Sequence, residues 1–183
     1  MKALLNKLQE VTPEFNQEDC NKTFQEIAEI LLNDYAIQIH DRIYRMTDVE
    51  FYFYDLNIDD ARINQENRKV TYERTTPAGC WFFHDSGIDI TFRSDKAKGY
   101  GGGILIRGIK KMYPKEQESV NGPLNCYWEL FDDYVSAFES MAPNPHLIPY
   151  RFSLRPEIHT SLRVGLSQKE KNPRMWRFFI KLK

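Results

Sequence analysis

Apolar residues recur at three- and four-residue spacing from Asp19 onward, at Phe24, Ile27, Ala28, Ile30 and Leu31. This pattern predicts a helix that Asp19 caps and that stops near Asn33-Asp34. The period then changes to two. Ile37 and Ile39 predict a strand, His40-Asp41 a tight turn, and residues 43–46 its partner strand. In Val49-Glu50-Phe51-Tyr52-Phe53-Tyr54, the residues Val49, Phe51 and Phe53 point one way and Glu50, Tyr52 and Tyr54 the other. One face reads as core, and the other sets a carboxylate beside two phenol rings. Residues 55–69 are polar and rich in turn formers, which predicts a surface loop. Strands are expected at 81–84, 88–92 and 103–109, the last two separated by the glycine-rich turn 98–103. Helical spacing returns over 122–140, with Pro123 suited to a first turn, until Pro143, Pro145 and Pro149 break it. Residues 175–182 close the chain as a strand. Many short strands with two clear helices give an α+β class, largely antiparallel. The whole chain, 1–183, is expected to be one domain, with residues 1–16 a loose arm.

Composition narrows the class. With 183 residues, 42% hydrophobic and 28% charged, the chain is neither disordered nor fibrous. No apolar run reaches the length of a membrane span, and the N-terminus lacks the pattern of a signal peptide. Cys20, Cys80 and Cys126 are odd in number and scattered, which suits a reducing cytoplasm better than a disulfide framework or a zinc site.

The net charge of −1 conceals segregation. Residues 1–66 hold 6 basic and 14 acidic side chains, and residues 67–111 hold 9 and 4. Residues 112–150 hold 1 and 6, and residues 151–183 hold 9 and 2. The two basic segments either converge on one face that binds a polyanion or pair with the acidic segments across the fold.

Three groups of residues could carry chemistry. Glu50 is either a general base, its pKa raised by an aromatic strand face, or an edge glutamate facing water. Arg107 lies inside the apolar run Ile104-Leu105-Ile106-Arg107-Gly108-Ile109 and needs a partner; Glu50 could be that partner, in a catalytic or a purely structural pair. Trp81-Phe82-Phe83-His84-Asp85-Ser86-Gly87 is either a stacking pocket with a polar mouth or a hydrophobic strand and an ordinary turn. The four histidines, His40, His84, His146 and His159, show no metal-ligand spacing, and no Ser or Cys nucleophile motif is present. Gly101-Gly102-Gly103 precedes a strand, so it reads as a flexible turn and not a phosphate cradle. No cofactor and no metal are expected.

Taken in order, these pieces resemble the alkyladenine (3-methyladenine, methylpurine) DNA glycosylase family, from about Ile27 to the C-terminus. Ile27-Ala28-Glu29-Ile30-Leu31-Leu32 is similar to that family's first helix, and Val49-Glu50-Phe51-Tyr52 to the strand bearing its catalytic glutamate and base-stacking tyrosine. Residues 79–92 resemble its glycine-led aromatic strand, and Gly103-Ile104-Leu105-Ile106-Arg107 the strand that ends in its active-site arginine. Asn121-Gly122-Pro123-Leu124-Asn125 looks like a Gly-Pro helix start. Leu162-Arg163-Val164-Gly165 and Met175-Trp176-Arg177-Phe178-Phe179-Ile180 match the last two strands. The chain departs from the family in residues 55–77, which lack its pocket histidine and Arg-Asn pair. It departs also at Ser86, where the family has an intercalating tyrosine, and at about Arg93, where it has an asparagine.

The resemblance implies a partly open, barrel-like antiparallel sheet with flanking helices. It implies hydrolysis of the N-glycosidic bond of a flipped-out modified purine in DNA by a monomeric base-excision enzyme. Glu50 would deprotonate the attacking water and Arg107 would hold it. The base would stack between Tyr52 and Phe83, with His84 or Ser86 at its edge and Tyr72 or His84 in place of the pocket histidine. Arg74, Arg93, Lys96, Lys98 and Arg163 are the expected DNA-binding positions, on one side around the pocket mouth. Ser86 implies weaker binding to duplex than to a bulge, mismatch or single strand. Two alternatives stay open: a modified-base or nucleic-acid binding protein without turnover, and an N-glycosidase acting on a nucleotide, RNA or modified phage DNA.

Overall fold

The computed structural model describes residues 2–12, 14–54, 76–95, 97–131, 144–165 and 174–182. It begins with a helix, α1 (Lys2–Glu10). Leu4, Leu8 and Val11 form one stripe at four- and three-residue spacing, and all three are buried. The first residues, expected to be a loose arm, are therefore anchored in the core, because that narrow stripe has a surface to cover. α1 packs on α2 (Gln17–Asp34), and Lys7 Nζ reaches Glu26 at 2.5 Å.

The cap of α2 is Asn16 and not Asp19. Asn16 Oδ1 accepts the amides of Glu18 and Asp19 at 2.8 and 3.0 Å, while Asp19 Oδ2 accepts the Asn16 amide at 3.0 Å. This reciprocal box satisfies the first orphan donors of the helix, with Asp19 as its third residue.

α2 runs directly into β1 (Tyr35–Ile39), and a turn with His40 at φ 52° leads into β2 (Arg42–Tyr54). The two strands expected at 43–46 and 49–54 are thus one strand of 13 residues. Its core-facing positions shift from even to odd, Tyr44 and Met46 and then Val49, Phe51 and Phe53. A bulge at Asp48 explains the shift: the register against β5 (Gly101–Tyr113) slips between Met46 and Asp48 and again before Val49.

β3 (Trp81–His84), β4 (Gly87–Thr91), β5 and β2 follow one another in the sheet, with β1 beyond β2. β6 (Ser119–Asn121) pairs with β5, and α3 (Pro123–Phe131) packs on β4 and β5. β7 (His146–Pro149) extends the sheet past β1 as an edge strand, where Pro149 costs no ladder hydrogen bond. β8 (Ile158–Ser161) and β9 (Arg177–Ile180) form a further pair, and β9 lies along β2 at Asp48, Val49 and Glu50. Among the described residues this is an α+β architecture, nine antiparallel strands curled into a half-barrel with three helices. No described helix is long and apolar enough to cross a membrane. The surface-loop segment 55–69 and the second half of the helix expected over 122–140 lie outside the described residues.

The core sits between the sheet and α2. Phe24 stacks on Phe51 at 4.8 Å and on Phe92 at 5.3 Å, and meets Trp176 edge-on at 4.9 Å. β2 and β5 approach closely at Gly102, where a Cβ would stand 2.0 Å from the Tyr52 carbonyl oxygen. Gly102→Ala must push these central strands apart, so a loss of about 1–3 kcal/mol is expected in urea unfolding with an unchanged m-value. A loss below about 0.5 kcal/mol would mean that this contact relaxes freely.

Candidate active site

Residues directly opposite one another in an antiparallel pair share a face. Glu50 lies opposite Leu105, Leu105 opposite Asp89, and Asp89 opposite Phe82, so these four form one row across the sheet. Phe51, Ile104, Ile90 and Trp81 form the neighbouring row on the core face. By the same alternation Tyr52, Arg107 and His84 project on the Glu50 side.

Glu50 has no exposed surface. Its Oε2 accepts Tyr52 Oη at 2.8 Å and Arg107 Nη1 at 3.3 Å, and its Oε1 accepts the Val164 amide at 2.7 Å. Burial raises the Glu50 pKa, and the Val164 amide, Arg107 and Tyr52 act in the opposite direction. The net direction is upward, toward the range in which a carboxylate works as a base. Burial, and next the Glu50 charge, also raise the Tyr52 phenol, so it donates to the carboxylate without ionising. Arg107 Nε is buried and has no hydrogen-bond partner among the described residues. The sequence expectation that Glu50, Tyr52 and Arg107 meet is therefore met in the geometry, and the edge glutamate facing water is excluded.

The other expected pocket residues divide. Phe83 is 52% exposed and lies on the opposite face, packed edge-on against Phe131 at 5.0 Å and Tyr127 at 5.9 Å. Strand alternation places Phe82, one residue earlier, on the Glu50 face instead, with its ring 5.9 Å from His84. His84 sits on the right face, but its ring nitrogens are engaged: Nδ1 accepts the Ser86 amide at 3.2 Å, which leaves Nε2 to donate to Asp89 Oδ1 at 3.2 Å. Ser86 occupies an exposed turn, with its hydroxyl 3.4 Å from Asp85. Tyr72, Arg74 and Lys96 lie outside the described residues.

Arg163, expected to contact phosphate, is 1% exposed and cannot reach a polyanion at the surface. Its guanidinium lies over the rings of Tyr52 and Trp176, at 4.8 and 5.3 Å, and donates to the Phe51 carbonyl at 3.1 Å. The segment around it, expected to form a strand, continues past β8 as a turn at Val164-Gly165. Arg93 and Lys98 are exposed and act on Glu14, whose carboxyl is lowered chiefly by Thr12 and to a smaller degree by these two cations.

Part of the charge segregation is paired across the fold, among the described residues. Arg107 meets Glu50, Arg155 meets Asp34, and Arg177 grips Asp48 at 2.7–3.2 Å. In each case a basic residue of a cationic segment neutralises an acid of residues 1–66. Among the described residues, one surface cleft of about 540 Å³ lies beside Lys7, Glu26 and Arg155, and another of the same volume beside Lys110, Tyr150 and Phe152; neither is lined by Glu50. No cluster of His, Cys, Asp and Glu among the described residues could hold a metal ion. No known family model matches the chain, and no curated protein matches it significantly.

Proposed function

We propose that the protein is a DNA N-glycosylase that hydrolyses the N-glycosidic bond of a flipped-out, alkylated or otherwise modified purine. One observation carries the reading: a wholly buried glutamate of raised pKa, tied to an arginine and a tyrosine on one sheet face. In the proposed reaction the Glu50 carboxylate takes a proton from water as the water oxygen bonds to the sugar C1′. The C1′–N bond breaks and its electron pair leaves with the base. A cationic alkylated purine leaves as a neutral molecule, so one carboxylate suffices. Arg107 holds the carboxylate through Nη1. Tyr52 and Phe82 are the aromatic side chains of the base pocket, Phe82 replacing Phe83 in that role. The curled half-barrel agrees with the glycosylase-like architecture that the sequence resemblance implies.

A second reading, a modified-base binding protein without turnover, draws support from the sealing of Glu50, since both its oxygens already hold donors. Single-turnover assays on DNA carrying 3-methyladenine, 7-methylguanine or hypoxanthine separate the two. Release of free base supports the glycosylase, and binding without release supports the second reading. A steep fall of binding with salt identifies DNA over a mononucleotide as the ligand.

A further inference from the structure

We infer that Arg163 is a positioning residue for the Glu50 carboxylate, holding in place both donors that flank Arg107, the Val164 amide and the Tyr52 hydroxyl; this rests on the hydrolytic reading above. A guanidinium that is 1% exposed carries a desolvation cost, so its position requires compensating contacts. Two of its contacts and its chain neighbour lead to Glu50. Arg163 Nη1 donates to the carbonyl of Phe51, the residue between Glu50 and Tyr52 in β2, at 3.1 Å. Its planar face covers the Tyr52 ring, whose hydroxyl donates to Oε2 at 2.8 Å. The very next residue, Val164, donates its amide to Oε1 at 2.7 Å. One side chain thus fixes one donor by stacking and the other through the chain. A lysine ammonium has no planar face to occupy the space between Tyr52 and Trp176.

The groups facing Glu50 are Asp48 and Tyr52 from β2, Arg107 from β5 and Arg177 from β9, with Asp89 and His84 farther along the same face, while Arg163 acts on Tyr52. The Val164 amide and the Tyr52 hydroxyl oppose the upward effect of burial. Loosening both leaves burial less opposed, so Glu50 must protonate at higher pH.

The test compares Arg163→Met, which keeps length and apolar bulk, and Arg163→Lys with the natural protein on DNA bearing 7-methylguanine. Single-turnover release is expected to fall about a hundredfold in the Met variant and little less in the Lys variant. Its acid limb should move to higher pH, and DNA affinity should change by less than about threefold. Release within about threefold of the natural protein overturns the inference, as does weaker DNA binding with a salt slope smaller by about one, the signature of a phosphate contact. A readout independent of activity and of variant folding is the Val164 amide proton, followed by NMR in the natural protein. Its shift should titrate with Glu50 and cease to do so in Glu50→Gln; an amide insensitive to pH overturns the inference. If the natural protein releases no base, the hydrolytic reading fails on its own, and the Val164 titration, compared between the natural protein and Arg163→Met, still decides the inference: a midpoint moved to higher pH supports it, and an unmoved midpoint overturns it.

Discussion

Glu50→Gln is expected to lower single-turnover base release about a thousandfold while leaving affinity for the modified DNA nearly unchanged. The substitution keeps shape and an acceptor oxygen for the Val164 amide, but it turns an amide NH2 toward Tyr52 and Arg107. The Tyr52 hydroxyl can turn to accept from it, while Arg107 loses its acceptor, so the variant is expected to melt somewhat lower and still fold. It removes the one property the reaction needs, a carboxylate able to take a proton from water. Release and binding, measured on the same 7-methylguanine oligonucleotide with a thermal melt as control, decide the matter. Release within about tenfold of the natural protein means that Glu50 is not the base.

The second large effect concerns Arg107. Arg107→Met leaves the Glu50 carboxylate buried with one charged partner fewer, and at neutral pH the fold should lose about 2–3 kcal/mol. The pH dependence has a definite sign. Glu50 already has a raised pKa in the folded state, so its ionisation works against folding, and stability is lost as pH rises through that pKa. Removing Arg107 takes away an influence that lowers this pKa, and the folded-state value moves further up. Stability curves of the two proteins should therefore lie closest below the ordinary carboxyl range and diverge as pH rises. Activity should run the other way: at neutral pH the variant should lose about tenfold to a hundredfold in release, part of it restored at higher pH as Glu50 ionises. Curves that stay parallel across the range would show that Arg107 does not act on the Glu50 charge.

The meeting of Glu50, Tyr52 and Arg107 is largely legible in the sequence because it depends on alternation, which Val49 to Tyr54 displays cleanly. An arginine within an apolar strand is likewise a visible request for a buried partner, and Glu50 answers it. The long β2 was not legible. Thr47 and Asp48 resemble a break, whereas a bulge at Asp48 shifts the core-facing positions by one and keeps the ladder running. Phe83 was misplaced although its own alternation held the answer, since Phe82 and His84 must share a face that Phe83 does not. α1 is not legible because Leu4, Leu8 and Val11 form a stripe too narrow to stand out among polar neighbours. The Val164 amide could not have been foreseen: every residue except proline carries one, and only the tertiary fold aims this one at Oε1. The burial of Arg163 is not legible for a related reason, because charge along the chain does not tell whether a guanidinium faces solvent or aromatic rings.

On the proposed reading, the Glu50 face of the sheet receives the reacting nucleotide. A crystal structure of Glu50→Gln bound to an oligonucleotide carrying 7-methylguanine tests it most directly. An extruded nucleotide is expected, its C1′ one water molecule away from the side chain at position 50 and its base against Tyr52 and Phe82. A nucleotide bound in the cleft beside Lys110, Tyr150 and Phe152, or a duplex bound with no base extruded, would contradict it.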